Sequence, residues 1–234
     1  MERVAEHVRW VDLGDSVIAL CLKSGTFVGF NGSAREIWKA LADGDSAHAI
    51  GERLHRAHGV SGAIAQADVQ SFTETCRRRR LLDGGVEEAA RRQTHPPAAA
   101  RRTAPTRARA LQAILTARAL IRWFGFARGY AHAVAVAERF PAGRASPDAM
   151  PVARATEAFL AAEYVVPSLL GHDDCLSRSL ALFRFLRCAG LPVVHRIGVR
   201  ATPFAAHAWV TLDGASLLEE SARQRSFIPI ATLS

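Results

Sequence analysis

The first third of the chain is a series of short apolar-rich runs cut by turn formers. Residues 7–11, 16–23 and 26–30 are divided by Gly14-Asp15 and by Ser24-Gly25, which predicts three short strands, the last two joined as a tight two-residue hairpin. Ile37, Trp38 and Leu41 then recur at helical spacing, with Ser33 placed to cap the helix start and Gly44 to stop it. A second helix is expected over 46–58, capped by Ser46 and closed by Gly59. A third is expected over 65–82, with Val69, Phe72 and Cys76 on one side. This βββααα order describes a winged-helix-like module.

Residues 85–109 carry Ala, Arg and Pro and no aliphatic side chain larger than Val86, Leu and Ile being absent. Such a stretch cannot form a core and reads as a basic linker. Beyond it, 110–140 is helix-prone and apolar around most of its circumference, the pattern of a buried helix. Residues 152–165 predict another helix, and 175–188 a third, in which Leu176, Leu180 and Phe183 form one apolar row ended by Gly190-Leu191-Pro192. Strands are expected over 193–199 and 206–212, with a turn at Asp213-Gly214 and a return over 215–220. The organisation is therefore α+β: a module at 1–84, a linker at 85–109 and a second domain at 110–234.

Charge sharpens this division. Lys and Arg number 11 against 11 Asp and Glu in residues 1–84, 11 against 3 in 85–145, and 8 against 8 in 146–234. The pI of about 10.3 thus comes from the middle of the chain and need not describe a nucleic-acid-binding face. With 49% apolar and 22% charged residues, the chain can bury real cores. No stretch is long and apolar enough to span a membrane, and the start lacks a signal-like apolar segment. Four cysteines, Cys21, Cys76, Cys175 and Cys188, with no CxxC pair, make neither a disulfide framework nor a metal site. A reduced, cytoplasmic protein without cofactor is expected.

The candidate chemistry lies between 173 and 220. Asp173 or Asp174 suits the N-cap of the helix that begins at Cys175, so the thiol sits in the first turn. There the positive end of the helix dipole favours thiolate and can receive an oxyanion. His207 starts the hairpin that turns at Asp213-Gly214, and the return strand brings Glu219 or Glu220 level with it, depending on loop length. A thiolate can attack a carbonyl, an imidazole can pass its proton to the leaving amine, and a carboxylate fixes the tautomer. Cys21, mid-strand, and Cys188, at a helix end, read as packing residues instead.

At this point the sequence resembles a family. Cys175-Leu176, Ser179-Leu180-Ala181, Ile197-Gly198-Val199-Arg200 and Pro203-Phe204-Ala205-Ala206-His207-Ala208-Trp209-Val210 are similar to the transglutaminase-like cysteine protease of lasso-peptide biosynthesis, the B protein. The run from Ser24 through Phe30-Asn31, followed by 34–41, resembles the PqqD-like precursor-recognition element that accompanies that protease. The resemblance implies a leader peptidase that hydrolyses the leader–core bond of a ribosomally made precursor. Its partners would be the leader and an ATP-dependent, asparagine-synthetase-like cyclase that closes the macrolactam. The family places an aspartate after the histidine, whereas the matching position here is Glu219. Glu220 and Asp213 remain alternatives for the orienting acid, though Asp213 suits a turn. Leader binding by strand addition would use Thr26, Phe27, Val28 and Phe30 on the third strand with Val69, Phe72 and Cys76 on the third helix. Residues 201–206 are the candidate lining for the residue preceding the cut, with Phe204 either in that lining or in the core.

Arg77 to Arg80 close the third helix, either as a solvated helix end or as a basic rim for an acidic leader stretch. A winged-helix-like module could also read DNA, which makes a regulator with a catalytically silent second domain the alternative. Against it, the module nets zero charge and its arginines cluster at the wrong end of the third helix for base contact.

Overall fold

A computed structural model describes residues 2–83, 102–141, 149–166, 175–219 and 224–234. The chain divides into two compact units, Met1–Arg92 and Gln93–Ser234. Asp173, Asp174, Glu220 and the linker as far as residue 101 lie outside the described residues.

The first unit carries β2 (Val8–Asp12), β3 (Ser16–Cys21) and β4 (Thr26–Asn31) in an antiparallel sheet of order β2-β3-β4. A short pair, β1 (Arg3–Val4) with β5 (Leu82–Asp83), ties the two ends of the unit together. Sequence patterning misses this pair because each strand is only two residues long. The β3–β4 connection is also longer than expected: Cys21 pairs Thr26 across a four-residue turn that ends at Gly25 with φ 75°. Alternation buries Val17, Ala19, Val28 and Phe30 on one face, where they meet α1 (Gly32–Ala42), α2 (Ala47–His58) and α3 (Gly62–Arg78). Phe30 stacks on Trp38 at 4.8 Å and meets Phe72 edge-on at 5.2 Å, so strand and helices share one aromatic centre.

The helix boundaries follow local capping. Asn31, not Ser33, is the N-cap of α1, because Gly32 and Ser33 already lie within the first turn. Ser46 accepts from the Ala49 amide at 3.2 Å, and Gly59, left-handed at φ 67°, closes α2. Ser61 caps α3, which starts earlier than expected and ends at Arg78, where Arg80 turns left-handed and releases Leu82 into β5.

The second unit begins with α4 (Arg107–Arg139), which takes over the last three residues of the stretch read as linker. Thr103 is already docked, its amide donating to the Cys188 carbonyl at 2.8 Å. The expected continuous buried helix is a folded pair. Gly125 at φ 75°, ψ −178° breaks the helix, and the two halves pack closely enough that a Cβ on Gly129 would lie 2.8 Å from Ile121. Trp123 and Phe124 stand at this corner, 75% and 62% exposed, so the apolar circumference reflects a turn and not full burial. After α5 (Ala149–Val165), α6 (Cys175–Cys188) packs between α4 and an antiparallel sheet of order β8-β7-β6-β9. Its strands are β6 (Val194–Arg200), β7 (Ala205–Leu212), β8 (Ala215–Ser216) and β9 (Ile228–Leu233). The return strand expected over 215–220 stops after two residues, and β9, which the sequence pattern did not suggest, pairs β6 at the sheet edge.

Candidate active site

Helix α6 and the β7–β8 hairpin bring Cys175, His207 and Glu219 together. Cys175 opens α6, which packs against β7 and β6 on one side, where Phe183 meets His195 at 6.0 Å, and against α4 on the other, where Leu180 lies beside Gly129. His207 is buried in β7, opposite Gly198 of β6. Its Nε2 and the Glu219 Oε2 are 2.7 Å apart, and its side chain also hydrogen-bonds Cys175. With Nε2 engaged by the carboxylate, Nδ1 is the ring nitrogen that remains for the sulfur.

Glu219 reaches the histidine through a local irregularity. The loop Asp213-Gly214 has two residues, with Leu212 opposite Ala215 and Thr211 opposite Ser216. A regular continuation would set residue 220 opposite His207 and turn residue 219 to the other face. Leu218 instead adopts φ 61°, the strand stops, and the alternation is reset so that Glu219 faces the imidazole. Asp213, at φ 49°, forms the turn itself.

Electrostatics follow from this packing. Hydrogen bonds donated to Cys175 and then to Glu219 outweigh the burial of His207 and raise its pKa to about 9, so the ring is an imidazolium at neutral pH. Burial pushes the Glu219 carboxyl upward, but the bond and charge of His207, a bond from Gln224 at 3.5 Å and the charge of Arg178 together hold it below its ordinary value. Arg178, one turn after Cys175, grips Glu163 of α5 through two bonds at 2.7 and 3.1 Å and approaches Glu219 to 3.7 Å. The imidazole lies between Trp209, at 5.9 Å and nearly parallel, and Phe227 at 5.4 Å. Gly198 makes that sandwich possible, since a Cβ there would stand 2.6 Å from the Trp209 ring and 3.0 Å from Phe227.

Arg178, Gln224 and Phe227 were not legible in advance. Arg178 carried one signal, its i,i+3 spacing from Cys175; Gln224 and Phe227 carried none. A second buried histidine, His195, is structural. The Ser179 hydroxyl donates to the Leu176 carbonyl at 3.1 Å, so the His195 Nε2–H donates to Ser179 at 2.9 Å. Burial pushes its pKa down to about 3 and keeps it neutral.

The residues assigned to leader contact separate by exposure. Strand β4 is an edge of its sheet, with Thr26 exposed and Phe27 and Phe72 partly buried. Val28, Phe30, Val69 and Cys76 are core residues, and burial pushes the Cys76 thiol up to about 12. Their side chains face the helices and cannot line an outer groove. Arg77 pairs with Glu2 and Glu74 and does not stand as an open basic rim. Phe204 is 56% exposed beside the start of β7, so it is not a core anchor.

Residues 111–232, just over half of the chain, match the family model of the transglutaminase-like superfamily. The chain belongs to this superfamily. Residues 16–82 match the model of coenzyme PQQ synthesis protein D (PqqD). This transglutaminase-like chain therefore joins a PqqD-like module to its superfamily core, the pairing by which it resembles lasso-peptide B proteins. A solved structure of TbiB1 in complex with the TbiA(beta) leader peptide is 22% identical, covers 36% of this chain and 99% of its own, and gives a TM-score of 0.35. No curated protein matches the sequence. Among the described residues no helix is long and apolar enough to cross a membrane, and no cluster of His, Cys, Asp and Glu is arranged to hold a metal.

Proposed function

We propose that this chain is a leader peptidase: the first unit binds the leader of a ribosomally made lasso-peptide precursor, and Cys175, His207 and Glu219 hydrolyse the leader–core peptide bond. The reading is carried by the contact chain from the Cys175 thiol through the His207 ring to the Glu219 carboxylate, set at the start of α6. The Cys175 sulfur, as thiolate, attacks the scissile carbonyl, and the oxyanion forms against the positive end of the α6 dipole. His207 gives its proton to the leaving amine, the C–N bond breaks, and the core departs with a free N-terminus. The leader is left as a thioester. Neutral His207 then takes a proton from water, whose oxygen attacks the thioester and releases a leader carboxylate and the thiol. The core is the substrate of the partner cyclase.

In the first unit, β4, which pairs with β3 alone among the described residues, offers backbone N–H and C=O groups to an extended leader from its outer edge. Phe27 and Phe72 supply apolar contact, and the buried Val28, Phe30, Val69 and Cys76 hold the strand in place from behind.

The superfamily's shared thioester chemistry can also pass an acyl group to an amine. Cleavage in H₂¹⁸O separates the two outcomes. Hydrolysis puts one ¹⁸O into the new leader carboxylate; a leader recovered as an amide adduct, without ¹⁸O, would replace peptidase with acyl transferase.

A further inference from the structure

The cations of the second unit are unevenly matched. Arg178 is held by Glu163 and Glu219. Arg109, Arg139 and Arg184 form no ion pair and no side-chain hydrogen bond among the described residues, yet all three border one cavity of about 360 Å³ with His132, Gln112 and Cys188. The fold places them there. The break at Gly125 folds α4 back, bringing Arg109 near its start beside Arg139 at its end, and α6 adds Arg184. The charges of all three arginines reach the Cys188 thiol, which fixes their convergence independently of the cavity outline. The cavity lies at the far end of α6 from Cys175, roughly 20 Å along the helix axis.

Two donors are left without a use. Arg184 Nη1 and His132 Nε2 are buried atoms with no hydrogen-bond partner among the described residues. Burial and then the Arg184 charge lower the His132 pKa, so the ring adds no fourth charge at neutral pH. Cations near a helix C-terminus ordinarily bond its last carbonyls. Here the Cys188 carbonyl is taken by the Thr103 amide at 2.8 Å and its hydroxyl at 3.2 Å, and none of the three guanidinium groups makes such a bond. No acid lines the cavity among the described residues, so the three converging positive charges repel one another and a bound counter-charge would relieve this.

We propose that this cavity is a binding site for an oxyanion of the phosphate class, held by Arg109, Arg139 and Arg184 with His132 donating from Nε2. A single carboxylate would neutralise one of three guanidinium groups and offer two oxygens. A phosphate carries about 1.5 to 2 negative charges and a diphosphate more, with enough oxygens for each planar fork.

Thermal unfolding and calorimetric titration of the full chain with inorganic phosphate, pyrophosphate and succinate test this, with sodium chloride matching ionic strength. The expected result is a saturable rise in Tm and measurable heat with pyrophosphate, weaker with phosphate and absent with succinate. Arg139→Gln and Arg109→Gln, both on exposed helix faces, should each weaken pyrophosphate binding about tenfold without lowering the unliganded Tm. Equal shifts with chloride, succinate binding as tight as pyrophosphate, or unchanged binding in both variants would overturn the assignment.

Discussion

Glu219 touches His207 at 2.7 Å although the hairpin register, continued regularly, sets residue 220 and not 219 across from the histidine. The left-handed Leu218, at φ 61°, makes the difference. A β-branched residue resists that conformation more than leucine does, whereas glycine accepts it freely. Leu218→Val should therefore cost at least about tenfold in kcat/KM, while Leu218→Gly should stay near wild type. Steady-state cleavage of a precursor by the two variants checks this; the reverse order would show that the backbone turn is not what delivers the carboxylate.

Removing the carboxylate while keeping its shape isolates its role. Glu219→Gln should lower kcat by about 10²–10⁴-fold with little change in KM, because the amide neither stabilises the imidazolium nor fixes its tautomer. Arg178→Met should give a smaller loss, since Gln224 still supports Glu219. Comparing kcat with KM in both variants tests the ranking.

The raised pKa of His207 gives pH dependence a sign. Its folded value, about 9, lies above the ordinary 6.5. Its contribution to stability is thus fully present below about pH 6.5 and is lost as pH rises through 9, on the order of 3 kcal/mol. Activity should show an alkaline limb near pH 9 as the proton donor for the leaving amine disappears. Because Cys175 is the largest cause of the shift, Cys175→Ala should flatten the decline of Tm between pH 6.5 and 9. A decline as steep in the variant would assign it to another group.

The first unit separates packing from recognition. Val69→Ala empties a fully buried position and should cost about 1–3 kcal/mol of stability, seen as a lower denaturant midpoint. Phe72→Ala is expected to weaken leader binding more than Val69→Ala does, measured by fluorescence titration under conditions where both variants are folded. Backbone amide shifts on leader titration should concentrate in Thr26 to Asn31.

Much of this was legible because local rules decide it. Ser46 and Gly59 bracket α2 through side-chain capping and a left-handed stop, and α6 runs over the expected Cys175–Cys188. The juxtaposition of Cys175, His207 and an acid followed from a helix start and one hairpin. What stayed hidden depends on partners distant in sequence. Strand β9 contains Pro229, which argues against a strand unless it lies at a sheet edge, and only the tertiary order shows that it does. Val28 alternates as a strand residue and Val69 follows the helical repeat, but both face inward, a matter of which side the helices cover. The fold-back at Gly125 turned an apolar helix into two, because one glycine in a helical run does not announce a break.

Leader removal as proposed depends on Cys175 as the nucleophile. Its most direct test is mass spectrometry of one purified precursor incubated with wild-type chain and with Cys175→Ala, alongside leader affinity for each. Free leader and free core are expected with the wild type, intact precursor with the variant, and equal leader affinity for both. Core peptide released by Cys175→Ala would contradict the assignment of Cys175 as nucleophile.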